Sequence, residues 1–168
     1  MAIPTVKAAQ PQADHRLELS RLLADLVADG LVPKDAADQL VANRRFARGD
    51  MHPLAVIADQ KWKDPRNPRK LLHLEALTQW LAEKVELPYL HIDPFKIDFA
   101  AVTKTMSSAY AERYRILPVA INTREVTVAV CEPFVREWEV QIRQVTRLEV
   151  KRVVANPLGR LDEIHILA

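Results

Sequence analysis

The sequence predicts an α+β protein, with a helical N-terminal subdomain followed by a small α/β sandwich of about three strands. In the first half of the chain, apolar residues recur at three- and four-residue spacing, the period of an amphipathic helix. In the second half, short β-branched runs of alternating polarity are interleaved with helical segments. We therefore predict a tail over residues 1–13, a helical subdomain over 14–86 and a sandwich subdomain over 87–168.

The helical half begins with a predicted helix–turn–helix. Gly30 lies where a left-handed C-terminal cap would end the first helix, and Pro33 suits the first turn of the second. A short helix begins at Pro53, and a longer one spans residues 71–85. The apolar faces of the first two helices are formed by Leu19, Leu22, Leu23, Leu26, Val27, Ala36, Ala37, Leu40 and Val41.

Residues 61–70, between the last two of these helices, carry five basic side chains, one acid and two prolines. Because proline interrupts a helix, we predict an exposed loop here. A solvated loop is the simpler interpretation, and a contact for an anionic partner is the alternative. Under that alternative the contact residues are Trp62, Arg66 and Arg69, since tryptophan and arginine are favoured at interface hot spots.

The second half predicts a three-stranded sheet with helices between the strands. The first two strands form an antiparallel hairpin, and Pro118 favours an edge position because it cannot donate a ladder hydrogen bond. The predicted strands cover residues 116–121, 126–130 and 148–155. Three helices are predicted: one capped by Asp98, one over residues 134–145 and one that begins at Asn156.

Three isolated glycines limit the chemistry of the chain. Gly30, Gly49 and Gly159 are too far apart for a Walker loop or a dinucleotide fingerprint. The five histidines show no metal-ligand spacing, and Cys131 is expected to be a small buried side chain rather than a nucleophile. We therefore predict a chain that is not itself an enzyme and holds no metal.

Net charge, cysteine content and the length of apolar runs limit the kinds of partner and the cellular compartment that fit this chain. A formal net charge of +2 gives no strongly basic region of the kind that nucleic-acid binding requires. A single cysteine fits a reducing compartment, and no apolar run approaches the ~20 residues that span a bilayer. We predict a cytoplasmic protein that reaches a membrane only through a partner.

Three segments in order resemble the N-terminal domain of type II secretion and type IV pilus assembly ATPases. They are "LTQWLAEKVELPYLHIDPFKIDFAAV", "YAERYRILPVAINTREVTVAVCEP" and "TRLEVKRVVANPLGRLDEI". The resemblance covers roughly residues 16–166, and it departs from the family at Glu132-Pro133, where Asp-Pro is usual, and at Thr146-Arg147, where Thr-Gly is usual.

This resemblance implies a docking and regulatory role. In that family the domain precedes the motor and binds the cytoplasmic part of an inner-membrane component of the machine. ATP and Mg²⁺ would be bound by a separate downstream domain of the same full-length protein, which implies no cofactor for this chain.

The resemblance also implies an alternative function, because some family members bind cyclic di-GMP through two copies of a long motif. Arg21, Leu22 and Gly30 match one copy, whereas Leu23 replaces a glycine and Arg44 replaces a glutamine. The second copy is interrupted by the basic, proline-containing segment. These losses favour the docking function over a cyclic di-GMP receptor, since glycine permits the close backbone approach that such a ligand requires.

Overall fold

A computed structural model describes residues 13–46, 51–98, 100 and 104–156. Within them the chain forms helices α1 (Leu19–Ala28), α2 (Lys34–Ala42), α3 (Pro53–Asp59), α4 (Leu74–Lys84), α5 (Ser108–Tyr114) and α6 (Glu137–Thr146). The strands are β1 (Lys63–Asp64), β2 (Asn67–Leu71), β3 (Ile116–Ile121), β4 (Glu125–Val130) and β5 (Glu149–Val154). The predicted α+β class is confirmed.

Short polar contacts set the ends of the helices. Gly30 follows α1 with φ of +74°, as its predicted role in a left-handed cap requires. His52 and His73 cap α3 and α4 by accepting from backbone N–H groups two and three residues later, and Ser107 caps α5 in the same way. The histidine caps give no strong sequence signal, because histidine is not among the preferred capping residues.

The predicted loop over residues 61–70 is wrong, because this segment forms a β-hairpin. β1 and β2 pair antiparallel, with Lys63 opposite Leu71 and Asp64 opposite Asn67. The helical half therefore contains a two-stranded sheet. Every residue of β2 is exposed, so the strand lacks the apolar alternation by which sequence analysis recognises strands.

The second sheet has the order β3-β4-β5. β3 and β4 are antiparallel, which confirms the predicted hairpin, and β4 and β5 are parallel because α6 carries the chain back between them. β3 lies at an edge, where the missing N–H of Pro118 has no cost. On the far side of β5, Tyr89 forms a parallel bridge with Val154.

One hydrophobic core joins the two halves of the chain. Leu26 and Leu77 of the helices pack in the same cluster as Val128, Trp138 and Val154 of the sheet region, all at most 1% exposed. A smaller cluster on the opposite face of the sheet contains Leu117, Ala129 and Ala155. The core is therefore continuous across residue 86, where the sequence predicts the boundary between the two subdomains. The division into two subdomains stays a prediction.

Some predicted elements lie outside the described residues. These are almost all of the predicted tail, the helix predicted to begin at residue 156 except for its first residue, and residues 99 and 101–103 of the helix predicted after Asp98.

Candidate docking surfaces

An ion pair closes the turn of the β-hairpin. Arg66 donates from Nε and Nη2 to the two carboxylate oxygens of Asp64, both at 3.0 Å, and its backbone N–H donates to Oδ1 at 2.9 Å. The Asp64 side chain is largely buried, and the Arg66 guanidinium holds the pKa of this carboxyl below its usual value. The predicted partner contact Arg66 is therefore engaged within the turn.

The base of the hairpin is anchored to the core. Leu72 donates its backbone N–H to the carbonyl of Trp62 at 2.7 Å and is fully buried. Trp62 is half-buried and packs against the main core cluster. Part of the Trp62 side chain thus packs against the core, and its contact with a partner stays a prediction.

The exposed surface of the hairpin is cationic. Lys61, Lys63, Arg69 and Lys70 are exposed, and in the part of the chain that the structure describes no ion pair joins them to a carboxylate. Leu71, at the end of β2, is 42% exposed. We call residues 61–71 the cationic hairpin. It presents unneutralised positive charge on a backbone of fixed shape, which suits an anionic protein surface.

The three residues that match the cyclic di-GMP motif do not converge on one surface. Arg21 is exposed and its Nε lies 3.4 Å from Glu18 Oε2. The side chain of Leu22 is buried in the core at 4% exposure, and Leu23, which replaces a motif glycine, is buried at 1%. Gly30 lies nine residues after Arg21, roughly 13 Å along the helix axis.

A cleft of about 400 Å³ lies beside the start of α1, and sequence analysis did not predict it. Its polar lining includes Arg16, Asn43, His52, Arg115 and Glu132. These residues are spread over positions 16 to 132 of the chain, and no local pattern links them. We call this the N-terminal cleft.

A buried hydrogen-bonded group forms one wall of the N-terminal cleft. Glu132 Oε2 accepts from the backbone N–H of Leu17 at 2.8 Å, and His52 Nε2 donates to the carbonyl of Cys131 at 2.8 Å. Burial raises the pKa of Glu132 and lowers the pKa of His52 to about 4. The histidine is therefore neutral at physiological pH, so this group ties the start of α1 and the N-terminus of α3 to the end of β4.

Cys131 lies in an environment that keeps its thiol protonated and therefore a poor nucleophile. Cys131 is buried at 2% exposure, as predicted, and its thiol bonds the carbonyl of Arg115 at 3.5 Å. Burial, followed by the negative charge of Glu132, raises the pKa of the thiol to about 12. A thiol in this environment is not converted to the reactive thiolate.

Residues 13–46, 51–98, 100 and 104–156 contain no group of three histidine, cysteine, aspartate or glutamate side chains placed to hold a metal ion. No helix within the same ranges has both the length and the apolar character to cross a bilayer.

Comparisons with known proteins identify relatives of the chain. Residues 85–158 match the model of the MshEN domain family. Over 119 residues the chain is 37% identical to the type IV pilus assembly ATPase TfpB of Acinetobacter baylyi, an alignment that covers 69% of this chain and 20% of that protein. The chain thus spans about a fifth of the length of this curated relative.

Two solved structures share the fold. A structure of MshE with cdg has a TM-score of 0.55 at 17% identity and covers 91% of this chain and 100% of its own. The N-terminal domain of XpsE has a TM-score of 0.53 at 15% identity, covering 92% and 97% respectively. These likenesses extend through both halves of the chain, whereas the family model covers mainly the second half. The resemblance predicted from the sequence, to the N-terminal domain of type II secretion and type IV pilus assembly ATPases, is confirmed by the match of residues 85–158 to the MshEN domain and by the likeness to a type IV pilus assembly ATPase.

Proposed function

We propose that the chain is a non-catalytic docking domain of such an ATPase and binds the cytoplasmic part of an inner-membrane component of the machine. ATP and Mg²⁺ are bound, in this proposal, by the motor domain of the full-length protein, and the chain acts at the cytoplasmic face of the inner membrane through its partner. The relationship to a pilus assembly ATPase supports the motor context.

The cationic hairpin is the observation that carries the docking proposal. Its exposed cations lie on a β-hairpin that is closed at the turn by Asp64 and Arg66 and at the base by Trp62 and Leu72. A rigid surface loses little conformational entropy on binding, so its charges can contribute to affinity. Complementary charge on the partner would also accelerate association at low salt.

The test is a binding measurement between this chain and the cytoplasmic domain of the cognate inner-membrane component. We expect micromolar or tighter binding that weakens as salt is raised. The double variant Arg69→Glu/Lys70→Glu should bind at least about tenfold more weakly, because it removes two positive charges and adds two negative ones. The matched control is Arg44→Glu/Arg45→Glu, which reverses an adjacent pair of exposed cations outside the hairpin.

The possible outcomes test the docking function and the role of the cationic hairpin separately. No binding of the unaltered chain at micromolar concentration would reject the docking function. Binding that the control variant and the hairpin variant weaken equally would leave the docking function in place and reject the cationic hairpin as its site.

The alternative function is a cyclic di-GMP receptor, and the shared fold with a structure of MshE with cdg is the observation in its favour. Two observations count against it. The side chain of Leu22 is buried in the core, and Arg21 belongs to the one motif copy that the sequence matches, so it would be a single arginine contact where the family motif occurs twice. We expect calorimetry with cyclic di-GMP to show no saturable binding. Saturable heat that the Arg21→Ala variant abolishes would make the receptor the leading function.

A further inference from the structure

Three arginines share one buried carboxylate near the start of α6. Arg136 donates from Nε and Nη2 to the two oxygens of Glu139, both at 3.0 Å. Arg152 Nε lies 3.0 Å from Oε1, and Arg143 Nη2 lies 3.7 Å from Oε2. Since Glu139 is only 4% exposed and is the only carboxylate paired with these guanidiniums among the described residues, the cluster carries an excess of two positive charges.

The excess charge is accessible from solvent. The side chain of Arg152 is 14% exposed and also donates to the carbonyl of Pro133, whereas those of Arg136 and Arg143 are 54% and 47% exposed. Burial, with a smaller contribution from the charge of Arg136, lowers the pKa of Arg152. The two outer guanidiniums therefore retain donors that a further carboxylate could accept from.

These arginines line a cleft with largely apolar walls. The cleft has a volume of about 650 Å³ and lies between α1, α4 and α6. We call it the junction cleft. Its apolar lining includes Leu22, Trp80, Leu81, Val85, Phe134 and Val140. Val140 is 57% exposed next to the arginines, so apolar surface and positive charge adjoin each other at the rim.

The other charged groups of the junction cleft are already engaged, with one exception. Lys84 pairs with Asp29, which also accepts from the Trp80 indole at 2.8 Å. Asp14 accepts from two backbone N–H groups at the start of α6 and keeps its negative charge, which acts on Arg136 and offsets part of the positive excess at that end of the cleft. Asp25 is exposed on the α1 wall, and no ion pair is formed by it among the described residues.

We propose that the junction cleft binds a peptide segment of a partner protein in which an acidic side chain stands beside a bulky apolar one. The carboxylate would accept hydrogen bonds from Arg136 and Arg143, and the apolar side chain would pack between Trp80, Phe134 and Val140. Charge complementarity specifies the acidic group, and the apolar walls specify its neighbour, since a small anion would leave those walls in water. This surface is distinct from the cationic hairpin, and the proposal does not require the hairpin to bind.

The test uses a matched pair of peptides and an ¹⁵N-labelled sample of the full 168-residue chain. The probe is acetyl-Glu-Leu-Leu-Glu-Phe-Leu-Glu-amide, and its control has glutamine in place of each glutamate. The Trp80 indole N–H lies at the junction cleft and that of Trp62 belongs to the cationic hairpin. We expect the acidic peptide to shift the Trp80 signal and the amides of Val140 and Arg143, leaving the Trp62 indole unmoved.

The affinities decide whether charge and apolar contact both matter. The glutamine peptide should bind at least about tenfold more weakly, and Arg143→Gln should weaken the acidic peptide by a similar factor. Val140→Ser should also weaken it, whereas Arg124→Gln, an exposed arginine in the turn between β3 and β4, should leave it unchanged.

Three outcomes would overturn the proposal: no shift at the junction cleft up to millimolar peptide, equal affinity for the two peptides, or shifts confined to the Trp62 indole. The last of these would assign acidic-peptide binding to the cationic hairpin and so support the docking proposal, which keeps the two inferences separable.

Discussion

Replacing His52 should remove most of the loss of stability that this domain suffers between pH 7 and pH 5. The imidazole is buried, donates from Nε2 to the carbonyl of Cys131 and accepts at Nδ1 from the backbone N–H of Leu54 at 3.2 Å. These two bonds require the neutral form with its proton on Nε2. Burial, assisted by the positive charge of Arg115, lowers the pKa of His52 to about 4, although the bond to Cys131 opposes the shift.

The magnitude follows from the difference between the folded and unfolded pKa values. The unfolded chain takes up a proton near pH 6.5, while the folded chain does so only near pH 4, so stability is lost as the pH falls through this window. For these two values the loss is about 2 kcal/mol at pH 5 and about 3 kcal/mol at pH 4, relative to pH 8. Burial raises the pKa of the neighbouring Glu132, and that shift has the opposite sign, because the folded chain then binds a proton more readily than the unfolded chain.

The assay is urea unfolding of the unaltered chain and of His52→Gln at several pH values between 8 and 5. We expect the variant to be less stable at pH 8, by about 1 kcal/mol for the lost cap, but to lose far less stability on acidification. The matched control is His91→Gln, which replaces a histidine whose side chain is 75% exposed. If His52→Gln and the unaltered chain show the same pH dependence, the neutral buried histidine is refuted.

Two further predictions concern buried groups near the sheet. Glu139→Ala should destabilise the fold by about 3 kcal/mol. This is the lower end of the range for breaking a buried ion pair, because two of the three arginines are half-exposed. Urea unfolding measures the loss against Glu137→Ala, whose exposed side chain should change the free energy of unfolding by less than about 0.5 kcal/mol. Cys131 should not react with a disulfide reagent such as Ellman's reagent at pH 8 until the chain is unfolded, since its raised pKa and burial suppress the thiolate, and fast stoichiometric labelling of the native chain would contradict this.

Much of the fold could be predicted because the controlling interactions are local. Gly30 permits a left-handed backbone and Pro118 lacks an N–H, so each constrains its own position regardless of the rest of the chain. The alternation of Val126, Val128 and Val130 in β4 likewise indicates a strand with one face in the core. These constraints act within a few residues, and a sequence displays them directly.

The β-hairpin shows where local patterns fail. Its strands are exposed, so no apolar period marks them, and Pro65 and Pro68 indicate only that the segment is not a helix. In the fold, a side-chain contact between Asp64 and Arg66 closes the turn, and a backbone hydrogen bond from Leu72 to Trp62 closes the base. The same exposure that hid the strands leaves their positive charge available to a partner.

The sequence by itself determined the α+β class, the antiparallel pair at the sheet edge, the buried cysteine and the relationship to the secretion and pilus ATPases. Apolar periodicity and ordered motifs depend on residues near one another in the sequence, so they can be recognised without the fold. Only the tertiary structure decided that the two halves share one core, that His52 is buried beside Glu132, and that three arginines surround Glu139 at the junction cleft. The physical reason is that burial of the shared core brings α1, α4 and α6 together, and the charges on their surfaces become neighbours as a consequence of that packing.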